Sequence, residues 1–415
     1  MSNLSYMQKA TDRGQLKIHV TTERGFFPIK DASIRLSYTG NPTEIIEELS
    51  TDISGQTAAV ELPAPPLEYS MEPSEFQPYS EYTIQVNASG YRPINISGIS
   101  VLPDKTSIQN VRMETATVEN PLERNIVITA NTLYGNFPPK IPEDEIKPMT
   151  ESGEIVLSRV VIPEYVIVHD GPPSDSSAND YYVRYRDYIK NVASSEIYST
   201  WPDSTLRANI LAIMSFTLNR VYTEWYRNKG YNFTITTSTA YDQKFVYGRN
   251  IFQSISDVVE EMFQNYLSRP NVRQPILTQY CDGQRVTCSN WLSQYLGDQN
   301  YETIEILRYY YGDNMFINTA EEISGIPASW PRYNLEVGAA GDKVRQIQEQ
   351  LARISQAYPA IPTITPDGIY GEATRAAVEK FQSIFGLPVT GVVDYRTWYK
   401  ISEIYVAVTR IAELV

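Results

Sequence analysis

Apolar residues recur at every second position through the first hundred residues of the chain. Leu16-Lys-Ile-His-Val20, Ala32-Ser-Ile-Arg-Leu36, Ala58-Ala-Val-Glu-Leu62 and Tyr82-Thr-Ile-Gln-Val86 all alternate, as half-buried strands do. Turn-forming stretches separate them: Thr39-Gly40-Asn41-Pro42, Asp52-Ile-Ser-Gly55 and Ala88-Ser-Gly-Tyr91. This predicts a small Greek-key sandwich over residues 14–113. The period then changes. Tyr182, Tyr185, Ile189, Val192 and Glu196 share one helical face, and Trp201-Pro202 is expected to end that helix. Leu206, Ile210, Ile213, Thr217, Val221 and Trp225 form a second stripe, and Ile255, Val258, Val259, Met262, Phe263 and Tyr266 mark a third helix. Residues 245–252 read as strand and turn. Toward the C-terminus, Val344, Ile347, Leu351 and Ile354 form one apolar face and Ala376, Ala377, Phe381 and Ile384 another.

These patterns predict a multidomain chain: an all-β unit (1–113), a Pro-rich linker (114–162), a mainly helical α+β domain (163–330) and a three-helix unit (331–415). The linker carries Pro138-Pro139, Pro142, Pro148 and the acidic Glu143-Asp-Glu145. Within it, the polar strip Met149-Thr-Glu-Ser-Gly153 is the kind of exposed segment a protease enters.

A length of 415 residues calls for two to four cores, and 42% hydrophobic with 20% charged residues excludes global disorder. A net charge of −14 disfavours nucleic acid and anionic membrane as partners. No apolar run approaches the ~20 residues needed to span a bilayer, and the first residues show no secretory h-region. Only two histidines (His19, His169) and two cysteines (Cys281, Cys288) are present, which leaves little with which to build a metal or Cys/His centre. No metal or cofactor is expected. Tyr165-Val-Ile-Val-His-Asp170 superficially resembles the opening strand of a zinc amidase, but its second histidine would have to come from the β unit. Tyrosine is abundant, 31 residues, and suits sugar surfaces as well as cores.

Glu196 continues an apolar and aromatic stripe, where desolvation would raise its pKa and make it a proton donor. The alternative is a carboxylate at a fraying helix end, or one paired with a base such as Arg207. Glu224, Glu260 and Glu261 are candidate second carboxylates, expected on solvated helix faces. Cys281 and Cys288 bracket an Asp282-Gly283 turn and are compatible with a disulfide, with free thiols or, less readily, with zinc.

Three resemblances add to this reading. The pattern Pro28-Ile-x-x-Ala32, Thr51-Asp-x-x-Gly55 and Tyr82-x-x-x-Val86-x-Ala88-x-Gly90-Tyr91 resembles the transthyretin-like, carboxypeptidase-regulatory family, which implies a binding, spacer or folding role. Asp367-Gly-Ile-Tyr-Gly-Glu-Ala-Thr-Arg-Ala-Ala-Val-Glu-Lys-Phe-Gln382, followed by Gly386-Leu-Pro-Val-Thr-Gly391, strongly resembles the three-helix peptidoglycan-binding domain. There Thr374 is expected to start or cap a helix. Tyr188, Ile189, Val192, Glu196, Trp201, Pro202, Leu206, Ala208 and Ala212 match the opening of the stage II sporulation protein D family of lytic transglycosylases, with Glu196 one residue later than in the tightest form of that pattern.

Together the parts are similar to spore cortex-lytic enzymes of SleC type. That resemblance implies Glu196 as catalytic acid/base and Tyr198, Trp201, Tyr247, Tyr280, Asp367 and Tyr370 as substrate-binding positions. It also implies spore cortex peptidoglycan as partner, storage in the spore as a pro-form, and activation by a germination protease. One glutamate suffices for lytic transglycosylation because the nucleophile belongs to the substrate, whereas hydrolysis normally needs a second carboxylate.

Overall fold

The computed structural model describes residues 12–23, 26–117, 122–147, 159–279, 290–325 and 329–409. Strands β1 (Asp12–Thr22), β2 (Ser33–Tyr38), β3 (Asn41–Ser50), β4 (Val60–Ala64), β5 (Ser80–Asn87), β6 (Ile94–Val101), β7 (Thr106–Met113) and β8 (Arg124–Val127) make the N-terminal region β-rich. Leu16, Ile18 and Val20 point inward from β1 while Gln15 is exposed, as the alternation requires. β1 runs parallel to β7 and antiparallel to β4. The second sheet has the order β3-β2-β5-β6-β8, with β8 parallel to β6. Ile34, Ile84 and Ile96 from this sheet meet Ile18 and Val111 from the first in one apolar core. The four predicted strands fall in β1, β2, β4 and β5. β3 was not anticipated, because an edge strand exposed on both faces carries no alternation. The transthyretin-like assignment rests on the sequence motifs alone.

The middle region mixes strands and helices: β9 (Val161–Ile162), β10 (Tyr165–His169), β11 (Asp180–Arg184), α1 (Tyr185–Glu196), α2 (Asp203–Tyr222), β12 (Ile235–Thr236), β13 (Ile251–Phe252), α3 (Gln253–Met262), β14 (Asn265–Ser268), α4 (Asn290–Asp298), α5 (Thr303–Tyr311), β15 (Phe316–Thr319) and β16 (Glu322–Ile323). α2 is buried on nearly all sides, which is why its apolar residues outrun a single stripe. The helix expected from Tyr182 starts three residues later. Tyr182 belongs to β11, paired with Ile167 of β10, and is 71% exposed. α1 also ends before Trp201: Ile197 is already extended, and Pro202 stands at the N-cap of α2.

The C-terminal region is helical: α6 (Asp342–Ala357), α7 (Glu372–Ile384) and α8 (Tyr395–Thr409). Two glutamine amides pin its loops. Gln348 Nε2 donates to Asp367 Oδ1 (2.9 Å), Ile369 O (3.0 Å) and Thr374 Oγ1 (3.0 Å), while its Oε1 accepts from Gly368 N (2.7 Å). Gln382 does the same for Thr390, Gly391, Val392 and Thr397. Thr374 therefore serves Gln348 and does not cap α7, whose N-cap is Gly371. Gly368 has φ +81°, a conformation that favours glycine.

The stretch 122–147, expected to be a spacer, is packed where it is described. β8 extends the second sheet, and Glu143 and Glu145 form ion pairs with Arg220 and Arg269. Acidic, proline-rich composition looks like solvated linker, but here the acids neutralise buried or half-buried arginines. The strip 149–153 lies outside the described residues. Further ties cross the expected boundaries. β13 joins the first sheet antiparallel to β7, and the Asn250 side chain bonds both the N–H and the C=O of Ser100 (3.0 and 2.9 Å).

The middle and C-terminal regions share one apolar core and a buried charge cluster. Glu260 of α3 is 2% exposed and meets Arg186 (2.6 Å) and Lys190 (2.5 Å) of α1 and Lys400 (3.2 Å) of α8. Glu403 of α8 pairs with Arg184, Arg186 and Lys400. Glu260 is thus not on a solvated face, as had been expected. Burial opposes its charge, but Arg186, Lys190 and Lys400 hold its carboxyl well below the ordinary range. Glu403 is likewise depressed.

Glu260→Ala should cost about 3–5 kcal/mol in chemical denaturation, because it strands the buried Lys190 and leaves Arg186 and Lys400 to Glu403 alone. Both carboxyls have depressed folded-state pKa values. Their stabilisation is therefore complete above the ordinary carboxylate range and lost as pH falls toward the depressed values. Wild type should lose melting temperature across that acid window more steeply than Glu260→Gln.

Candidate active site around Glu196

α1 presents Tyr185, Tyr188, Ile189 and Val192 to the core and ends at Glu196. A carboxylate in the last turn opposes the helix dipole, which favours its protonated form. The carbonyls of this terminus are satisfied from outside the helix. Thr132 N donates to Ser195 O (2.9 Å), Asn290 Nδ2 to Glu196 O (3.2 Å) and Asn131 Nδ2 to Ile197 O (3.3 Å). Glu196 Oε1 accepts the backbone N–H of Lys244 at 2.7 Å. By surface area the residue is only partly covered. Even so, burial is the largest influence on its carboxyl and pushes its pKa up, opposed by the Lys140 charge, the Lys244 N–H and the Lys244 charge.

The surroundings distinguish Glu196 from neighbouring acids. Asp242 is fully buried and accepts from Arg220 Nε (2.7 Å), Tyr226 OH (2.6 Å), Thr236 N (2.9 Å) and Thr236 Oγ1 (2.7 Å). Burial alone would raise the Glu143 carboxyl, but hydrogen bonds and charge from Arg220 and Lys147 bring it down to about 2. Glu196 forms no ion pair within 4 Å among the described residues; Arg207, its expected partner, binds Asp203 and Glu261 instead. Lys140 is partly buried, donates to the Asp242 carbonyl and lies over the Phe216 ring. Burial lowers its pKa, which the Glu196 charge partly offsets. The arrangement pushes one carboxyl toward its protonated form, keeps a cation nearby and holds the neighbouring Glu143 ionised. That is what a general acid needs.

The remaining sequence-derived positions scatter. Tyr198 and Trp201 are each 2% exposed; they pack with Trp291, and the Trp201 indole donates to Ser70 O (2.8 Å). Neither has a free face for a sugar, which corrects their expected role. Tyr370 is buried and its hydroxyl donates to Gly391 O (2.9 Å), so it is a core pin. Asp367 is exposed, but its Oδ1 is engaged by Ile369 N and Gln348 Nε2 as the organiser of a turn. Tyr247 lines a cavity of about 500 Å³ and accepts a hydrogen bond from Arg124. Tyr280, Cys281 and Cys288 lie outside the described residues. Glu224 pairs with Arg227 (3.5 Å).

Lys140, Glu143, Arg220, Asp242 and Lys244 were not anticipated; nothing in periodicity announces contacts between a proline-rich strip, a helix and a loop so distant in sequence. His169 Nδ1 lies 2.8 Å from Asp180, its ring stacked on Phe233. Among the described residues no group of three or more His, Cys, Asp or Glu could hold a metal ion, and no helix is long and apolar enough to cross a membrane.

Lys140→Met should shift the Glu196 titration upward, because it removes the cation that stabilises the carboxylate. The check is the carboxyl midpoint by NMR; an unchanged or lower midpoint would remove Lys140 from the electrostatics of this site.

Comparison with known proteins places residues 340–401 in the peptidoglycan binding domain family. The chain is 38% identical over 71 residues to the zinc D-Ala-D-Ala carboxypeptidase of Streptomyces albus G, which is 17% of this chain and 26% of that protein. The chain therefore spans about a quarter of that relative's length. A crystal structure of the SleB N-terminal domain aligns over 19% of this chain and 99% of its own at 28% identity, with a TM-score of 0.17. The minor pilin GBS52 of Streptococcus agalactiae aligns over 26% of this chain and 46% of its own at 15% identity, with a TM-score of 0.19.

Proposed function

We propose that this protein is a lytic transglycosylase of spore cortex peptidoglycan, with Glu196 as its acid/base. The C-terminal domain supplies the polymer, since its family binds peptidoglycan. The observation that carries the chemistry is the upward-shifted carboxyl of Glu196, held by one N–H at the end of α1 while its acidic neighbours are committed to cations. In the first half of the reaction Glu196 gives its proton to the oxygen bridging N-acetylmuramic acid to N-acetylglucosamine, and the C1–O bond breaks. The resulting carboxylate then takes the proton of the muramic C6 hydroxyl as its oxygen bonds to C1. The product carries a 1,6-anhydro-muramic end, and Glu196 is protonated again.

The same reading makes the protein a spore component stored as a pro-form, cut by a germination protease in the 149–153 strip of the 114–162 linker. A single cut there leaves the N-terminal part attached through β7–β13, the Ser100–Asn250 pair and the Glu143–Arg220 pair. Activation by cutting therefore requires those contacts to loosen.

Glu196→Gln should keep the melting temperature and lower cleavage by roughly 10²–10⁴-fold or more, since the amide cannot deliver a proton. Mass spectrometry of cortex fragments digested by the processed protein identifies the reaction. Anhydro ends support the proposal and reducing ends indicate a muramidase-type hydrolase. No cleavage by either the full or the processed chain indicates a wall-binding protein without catalysis.

A further inference from the structure

Lys244 meets the candidate acid through its backbone and stands beside it with its side chain. The backbone N–H holds Glu196 Oε1 at 2.7 Å. The ammonium lies over the Phe137 ring, 4.5 Å from its centroid. Phe137 belongs to the strip that closes the end of α1, where Thr132 N donates to Ser195 O and Asn131 Nδ2 to Ile197 O. Its ring packs so closely on Gly135 that a Cβ there would overlap it, which fixes the ring in place. A cation on an aromatic face is held in direction without being neutralised.

The other cations of this neighbourhood are committed. Arg220 pairs with Glu143 and Asp242, Lys147 with Glu143, and Arg207 with Asp203 and Glu261, while Lys140 donates to the Asp242 carbonyl. Lys244 is partly exposed, and among the described residues its Nζ forms neither an ion pair within 4 Å nor a hydrogen bond. Burial and the Arg249 charge weaken the ammonium, while Asp170 and Glu196 support it from beyond ion-pairing distance. Glu196 Oε2 also lacks a hydrogen bond among the described residues, and neither that oxygen nor Lys244 Nζ is sealed from solvent. An open carboxyl oxygen and an open ammonium therefore share one end of α1.

We infer that Lys244 is a substrate-positioning residue, its ammonium taking the free carboxylate on the lactyl arm of the muramic residue whose C1–O bond Glu196 breaks. This rests on the transglycosylase reading above. Muramic acid and glucosamine share a ring and an N-acetyl group, and the lactyl ether is what separates them. The two sugars alternate along the strand, so only every second register puts a muramic C1 at Glu196. A directed ammonium selects that register by charge, and the flexible stem of lysine lets it follow the arm. The lactyl carboxylate is free where no peptide is attached and becomes a neutral amide where one is. The site should therefore favour peptide-free stretches of glycan.

The test uses glycan strands freed of peptides by an amidase, and the same strands made neutral by carbodiimide coupling to methylamine. Cleavage of both sets by the processed protein gives KM and kcat separately. The carboxylate strands should have a KM lower by roughly tenfold, the scale of one charge-assisted hydrogen bond, with kcat changed less. Lys244→Met should bring the two kcat/KM values together, Lys244→Arg should keep most of the preference, and Phe137→Leu should reduce it several-fold. A role confined to the electrostatics of Glu196 would move kcat and the pH profile for both sets alike. An unchanged preference in Lys244→Met, or equal cleavage of both sets by wild type, overturns the inference. Calorimetry on the processed chain carrying Glu196→Gln separates binding from turnover. Binding that needs the carboxylate and is lost on adding Lys244→Met, without wild-type cleavage, refutes only the proposed reaction. Binding that ignores the carboxylate or survives Lys244→Met refutes only the role of Lys244 and traces the heat to the C-terminal domain.

Discussion

Glu260 has no water to hold its charge, and its place in the interior depends on Arg186, Lys190 and Lys400 meeting it from two other helices. Ion pairs at such depth are held by geometry, because each member left alone would carry its full desolvation cost. The consequence is orientational. α1 is fixed by its first half to α3 and α8, and its last residue is Glu196. From Lys190 to Glu196 is six residues, about 9 Å along a helix axis. Docking of the C-terminal helices thus sets the direction of the helix that presents the candidate acid.

A second set of charges is gathered around Arg220 of α2. Arg220 is satisfied by Glu143 and Asp242, and Asp242 in turn by Tyr226 and Thr236. Both acids are saturated by donors, and the Arg220 and Lys147 charges hold the Glu143 carboxyl low. Glu196, with a single backbone donor and the dipole of α1 against it, is the acid of this group that favours its proton. The same fold produces both outcomes from one residue chemistry, through the number of donors each carboxyl receives.

Much of the element pattern was legible from period alone. β1, β2, β4 and β5 follow a two-residue alternation, and α2, α3, α6 and α7 follow helical stripes, while α8 was expected only from the family resemblance. Glu196 was legible because it extends the stripe of α1, although that stripe misplaced Tyr182, whose aromatic ring fits a strand as well as a helix. The errors share a cause. Trp201, Tyr198 and Tyr370 are aromatic groups that sugar-binding and cores use alike, and only burial separates the two. Lys140 and Arg249 carry charge in places where local sequence predicts solvent. Their surroundings are assembled from segments a hundred or more residues apart, such as Arg249 with Thr129, and no local pattern encodes that.

The pairing of Glu143 with Arg220 spans 77 positions of chain. On a ribosome adding roughly 5–20 residues per second, Glu143 is made about 4–15 s before Arg220 exists, with Lys147 at hand. Through that interval its segment has no reason to leave water, and the core of the middle region stays open on that side. Synthesis therefore imposes an order in which early-made acidic residues wait for late-made cations, and the final closure around α2 is a non-local event. A chain arranged this way settles its interior slowly.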